Sequence, residues 1–236
     1  MIKIVRLVKR RKDLTLAQFK DYWLARHAEQ EKRAIASTPL LKVVASIATG
    51  EVALGAAAPP FDGMAAMYFE SLDAARATYT GSATAAMRED ARNFVAFDEP
   101  QPQVFADEYL VAEKPGAAAG MRKSGQLKVI RTVYRRRDLG PAAFKDYWLA
   151  RHAKLEEQVV ATTPMRRIVA TFALPESAAP EFDGMAELYF DRLEDIRATF
   201  AGPVPAMMRK DEENFVQMDA PAVRLVAEEY LIGEKS

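Results

Sequence analysis

Apolar residues change their spacing along this chain in a fixed order, and the order runs through twice. Residues 2–8 and 127–134 are short, rich in β-branched side chains and bounded by charge, which predicts a strand in each case. A helical spacing follows, with Leu16, Phe19, Trp23 and the turns beyond recurring at intervals of three and four. Thr15 and Gln18 form a capping-box pattern at its start. In the second copy Gly140-Pro141 takes that place, with the proline in the first turn. Pro39 and Pro164 stop the helix. Residues 41–49 and 165–174 read as second strands. The loops after them end in Phe-Asp-Gly, where Asp62, Asp183 and Gly63 have turn chemistry. Residues 64–69 and 185–190 are third strands, apolar on both alternating faces, so cover is expected on both sides. Helical regions over 73–97 and 194–218 are broken near Gly81 and at Gly202-Pro203. Strands over 104–111 and 223–232 close the two copies.

The copying is literal in places. Phe-Lys-Asp-Tyr-Trp-Leu-Ala-Arg-His-Ala occupies residues 19–28 and again 144–153, and Phe-Asp-Gly-Met occupies 61–64 and 182–185. Such self-similarity divides the chain into a first repeat over residues 1–113 and a second over 126–236. Residues 114–125, small and polar, read as a flexible linker. Strand, helix, two strands, helix, strand is the ferredoxin-like order. One face of such a sheet carries the helices, and the other needs a partner. The predicted fold is therefore α+β: tandem ferredoxin-like (βαββαβ) repeats whose sheets pack face to face as an intramolecular dimeric α+β barrel.

The duplicated helix also holds the candidate chemistry. The two histidines of the chain, His27 and His152, and its two tryptophans, Trp23 and Trp148, all lie in it. Phe19, Trp23 and His27 stand four apart and share a helix face, as do Phe144, Trp148 and His152. An imidazole at the end of such a stripe is either a hydrogen-bonded packing element or a proton-transfer group in an apolar cleft. Glu31 and Glu156, four residues further on, are placed to orient the ring and raise its pKa. Tyr68 and Tyr189, at equivalent strand positions, could present a phenol to the same pocket or simply pack. Tyr22 and Tyr147 lie well round the helix from the histidine. Glu108 and Glu229 either point into the barrel or pair with Arg, and Asn93 and Asn214 support the helix-to-strand connection.

Composition narrows the chemistry. With 33 basic and 33 acidic residues there is no net charge to draw nucleic acid or an anionic membrane. Cysteine is absent, which removes disulfides, thiolate metal sites and a cysteine nucleophile. One histidine per repeat has no second ligand at metal-binding spacing. Neither a Gly-rich phosphate loop nor a GxSxG or HExxH motif occurs. No stretch is apolar enough for a signal-peptide core or a membrane span, and a cytoplasmic protein is expected.

The motif Phe-x-x-Tyr-Trp-x-x-x-His-Ala, the Phe-Asp-Gly before a strand, and the acidic segments ahead of Phe94 and Phe215 together resemble the EthD-like family of dimeric α+β barrels. So does the terminal Glu-Tyr-Leu at 108–110 and 229–231. Single-domain relatives form the barrel by dimerising, whereas this chain carries both halves. The resemblance implies a pocket for a small hydrophobic molecule. It also implies chemistry of the kind found in polyketide dehydratases and cyclases, with haem-using enzymes in the wider superfamily. The expected function is a cofactor-independent lyase or isomerase for a small hydrophobic, oxygenated or aromatic compound. In it His27 and His152 are catalytic, and Trp23, Trp148, Tyr68, Tyr189, Phe19 and Phe144 contact substrate. No cofactor or metal is expected, and a homodimer of the two-repeat chain is left open. The alternative is a non-catalytic binding or accessory protein of a monooxygenase degradation pathway.

Overall fold

The computed structural model describes residues 1–51, 60–116, 125–177 and 180–235. The Ala- and Pro-rich loop before Phe61 and the expected flexible linker lie largely outside them. The first half contributes strands β1 (Ile2–Val8), β2 (Lys42–Ala48), β3 (Gly63–Phe69) and β4 (Gln103–Glu113). The second contributes β5 (Gln126–Val133), β6 (Arg167–Ala173), β7 (Gly184–Phe190) and β8 (Arg224–Glu234). All neighbouring strands pair antiparallel in the closed order β1-β3-β2-β8-β5-β7-β6-β4. The half-sheets therefore join through their edges, β2 to β8 and β4 to β6, as well as through their faces. Closure leaves no unpaired strand edge. A one-residue register shift in each joining pair, near Val43/Val44 and Leu110/Ala112, marks a bulge that helps the long strands bend round the barrel.

Helices α1 (Leu16–Tyr22) and α2 (Ala28–Ser37) are one rod joined by a π turn (Trp23–His27). The second half repeats this with α5 (Pro141–Tyr147), a π turn (Trp148–His152) and α6 (Ala153–Thr162). Thr15 and Gln18 make the reciprocal capping-box bonds, and Pro141 opens the second copy. The other helices are α3 (Leu72–Thr80) and α4 (Ala85–Ala91), bridged by a 3₁₀ turn (Ser82–Thr84), then α7 (Leu193–Ala201) and α8 (Val204–Glu212). All pack outside the barrel, against the outer face of the sheet. Across the seams Lys20 bonds Glu228 and Lys145 bonds Asp107, a reciprocal pair consistent with pseudo-twofold symmetry.

Inside the barrel, apolar residues such as Val5, Leu7, Met64, Ile130, Met185 and Leu225 pack together. The same face also carries charge. Lys3 reaches Glu108 and Glu187 at 2.8 Å each, while Lys128 binds Glu187 and Glu229. Burial pushes both ammonium groups down, but the carboxylates outweigh it and hold them above the ordinary lysine value. Burial likewise acts to raise Glu187, and the two lysines instead hold it well below the usual carboxylate range. Glu187 has no twin, since the matching residue of β3 is Ala66. One carboxylate thus ties the two halves together.

Candidate functional site

The π turn decides what the long helix presents. Four residues apart on an α-helix means a drift of about 40° per step, so three steps from Phe19 to Glu31 would rotate by about 120°. A π turn accommodates an extra residue, and that removes most of the drift. Ala28 N–H bonds the Trp23 carbonyl five residues back, and Ala153 bonds Trp148 likewise. As a result Phe19, Trp23, His27 and Glu31 are all buried, as are Phe144, Trp148, His152 and Glu156.

The imidazole is oriented from another element. His27 Nδ1 lies 2.7 Å from Asp90 Oδ2 on α4, and His152 Nδ1 lies 2.7 Å from Asp211 Oδ2 on α8. A carboxylate at that distance fixes the proton on Nδ1 and leaves Nε2 as an unprotonated base. The second oxygen of each aspartate accepts the Tyr22 or Tyr147 hydroxyl, at 2.9 and 3.1 Å. Tyr22 and His27 therefore share one carboxylate, contrary to the expectation that the tyrosine stands apart.

Glu31 and Glu156 do not orient the ring as expected. Their nearest oxygens stand 3.8 and 3.9 Å from the histidine Nε2 atoms, beyond hydrogen-bond distance. They instead accept the indole N–H of Trp23 and Trp148. Burial raises both carboxyls to about 8, so they are neutral at pH 7 and do not lift the imidazole pKa. Burial lowers both histidines below their ordinary value, with the aspartate hydrogen bonds opposing it. At neutral pH each half thus sets a neutral imidazole beside a protonated carboxyl, an acid and a base whose environments have driven them apart.

The two halves differ in room. In the second, His152, Glu156 and Trp148 border a cavity of about 240 Å³ between helices and sheet, floored by Val129, Ile168 and Leu188. In the first, the equivalent space beside His27 is about 60 Å³. Arg88 closes the smaller one. Its guanidinium bonds the Tyr79 and Gly81 carbonyls and the Thr84 hydroxyl. In the second half Pro205 replaces Thr84 and supplies no hydroxyl.

Other expected site residues go elsewhere. Tyr68 and Tyr189 project into the barrel, where they bond Glu108 and Glu229. Strand alternation makes this unavoidable, because Ala65, Met67, Ala186 and Leu188 on the same strands face the histidines. The tyrosines therefore lie on the opposite face of the sheet from the imidazoles and line neither histidine cavity, contrary to expectation. Glu108 and Glu229 pair with lysine, not arginine. Phe19 and Phe144 pack edge-on against Trp23 and Trp148 and border neither histidine cavity. Gly63 and Gly184 are strand residues of close approach, not turn residues. A Cβ on Gly63 would meet the Ser46 carbonyl at 2.9 Å and the Trp23 ring at 3.0 Å. Asp62 and Asp183 do cap the turn, accepting the Arg10 and Arg135 backbone N–H.

Asp90, Asp211 and Glu212 lie in the acidic segments that carried the family resemblance, with no role assigned to them, and Arg131, Arg209 and Arg224 were not singled out by the sequence. The aspartates had a signal, identity at one position of both repeats. Arg131 and Arg209 repeat Arg6 and Arg88 of the first half, whereas Glu212 and Arg224 are visible only as differences between repeats, against Ala91 and Gln103.

The EthD domain model matches residues 11–98 and 136–219, and so takes in both histidines and both aspartates. The chain belongs to the EthD family. No curated protein matches it. Solved structures share its fold at low identity. An anthrone oxidase-like protein superposes with a TM-score of 0.66 at 8% identity, covering 100% of this chain and 94% of that one. A monooxygenase candidate from Lactobacillus acidophilus NCFM gives 0.55 at 12%, covering 99% and 97%. Chlorite dismutase from Candidatus Nitrospira defluvii, in complex with imidazole, gives 0.53 at 12%, covering 96% and 90%. Such identities establish the barrel and nothing of the chemistry. Among the described residues no group of three or more His, Asp or Glu is arranged to hold a metal ion. No helix among the described residues is long and apolar enough to cross a membrane.

Proposed function

We propose that this EthD-family chain is a small-molecule enzyme of the lyase or isomerase type, acting by proton transfer in its second half. The observation that carries the reading is His152: Nδ1 is held by Asp211, and the imidazole borders a cavity shared with a neutral Glu156. His152 Nε2 removes a proton from a carbon next to a carbonyl, or from a hydroxyl, of a small apolar substrate. The resulting imidazolium is stabilised by Asp211. Glu156 donates a hydrogen bond to the oxygen that gains charge, in a water-poor site where such a donor is most effective. Return of the proton at another atom gives isomerisation; loss of a β-hydroxyl as water gives dehydration. Both balance without an external oxidant or reductant. The first half, with its smaller cavity, keeps the residues and lacks the space.

The test is hydrogen–deuterium exchange at carbon, followed by NMR across a panel of small ketones and hydroxyaromatics in D₂O. Wild type should catalyse exchange on a bound member, and His152→Ala should abolish it while His27→Ala changes it little. Full exchange in the His152→Ala protein would overturn the mechanism. Ligand binding with no exchange on any member would make the chain a binding protein instead.

A further inference from the structure

We propose that the second half selects a ligand bearing a carboxylate, held by Arg224 and Arg209 at the mouth of the His152 cavity. The inference rests on reading that cavity as a ligand site, and not on proton transfer there. Arg131 on β5 and Arg224 on β8 are direct cross-strand partners on the helix-facing side of the sheet. Like charges placed opposite each other destabilise a sheet unless something neutralises them. Glu212 neutralises one, bonding both terminal nitrogens of Arg131. Among the described residues no carboxylate or carbonyl accepts a hydrogen bond from Arg224 or Arg209. Burial, and then the charge of Arg131, lowers the Arg224 pKa, with the nearby Glu212 charge opposing them without reversing the shift.

The first half supplies the contrast. There Arg6 faces Gln103 across the strands, Ala91 stands in place of Glu212, and Arg88 is tied to backbone carbonyls. Arg224 therefore stands as a third guanidinium beside Arg131 and Arg209 where the larger cavity opens, against Arg6 and Arg88 alone in the first half. Arg131, Arg209 and Arg224 also border an adjoining groove of about 270 Å³ over residues 216–222. An apolar ring placed against Ile168 and Leu188 would leave its carboxylate at these guanidinium groups, which bind that group through paired N–H donors.

The experiment is calorimetric titration with 2-naphthoate and with 2-naphthamide, which share an apolar body and differ in charge. Wild type should bind the acid about tenfold or more tightly than the amide at low salt, with the preference shrinking as salt rises. Arg224→Gln, which restores the residue of the first half, combined with Arg209→Gln, should bring the ratio close to one while amide binding persists. His152→Ala should leave the ratio intact. Equal affinity for acid and amide in wild type overturns the proposal, as does an unchanged ratio in the double variant or no binding of either at millimolar concentration. Equal affinity of wild type for acid and amide, with His152-dependent exchange retained, sinks this inference alone. An intact ratio without exchange sinks the proton-transfer reading alone.

Discussion

Replacing Glu156 with Gln isolates the most unusual charge state in the protein. The carboxyl is buried against Trp148 and raised to about 8 in the fold, against an ordinary value of 4.5. Between those values the folded protein holds a proton that the unfolded chain has released. Stability from this group is therefore complete below about pH 4.5 and drains away as pH rises towards 8. The slope is about 1.4 kcal/mol per pH unit. Glutamine is neutral throughout and can still accept the indole N–H. Relative to wild type, Glu156→Gln should gain about 3 kcal/mol between pH 5 and pH 7.5, levelling off above pH 8. Adding Glu31→Gln should roughly double the gain, because Glu31 is raised to the same value in its own half. Urea unfolding at a series of pH values measures this directly, and the lowered histidines, present in both proteins, cancel in the difference. Parallel pH profiles for wild type and variant would mean an ionised carboxyl in the fold. That result would remove Glu156 as the acid of the proposed mechanism as well.

Other expectations are more local. Asp211→Asn should reduce proton exchange far more than substrate binding and change the pH profile, since an amide cannot stabilise the imidazolium; equal loss of both would point to simple misfolding. Glu187→Leu leaves Lys3 with Glu108 and Lys128 with Glu229 but removes the carboxylate that bridges them, and should cost about 1–3 kcal/mol in urea unfolding; no measurable loss would deny its linking role. Gly184→Ala places a methyl 3.0–3.1 Å from the Phe144 and Trp148 rings, and should cost about 1–3 kcal/mol and shift tryptophan emission; an unchanged spectrum and stability would refute the close approach.

The asymmetry between the halves follows from covalent fusion. In a symmetric dimer a substitution appears in both sites at once, whereas here Thr84 and Pro205, Gln103 and Arg224, or Ala91 and Glu212 differ freely. The shared Asp–His–Glu–Trp geometry shows what the repeat preserved, and the unequal cavities show where the copies parted.

The order of elements, their approximate limits and the tandem architecture were readable from the sequence, because period-two and period-3.6 patterns are local properties of the backbone. The same locality put Phe19, Trp23 and His27 on one buried face and gave Thr15 and Pro141 their capping roles. Three things needed the tertiary structure. The π turn is a small adjustment of hydrogen bonding, and no residue type demands it. It is what brings Glu31 and Glu156 into line and lets Tyr22 and His27 meet one aspartate. The partner of each histidine comes from a helix some sixty residues away (His27 to Asp90, His152 to Asp211), a distance that only packing can bridge. The side of a strand that becomes the inside of a barrel depends on closure. Lys3, Lys128, Tyr68 and Tyr189, which alternation alone could have turned either way, are committed to the interior by the pairing of β2 with β8 and β4 with β6.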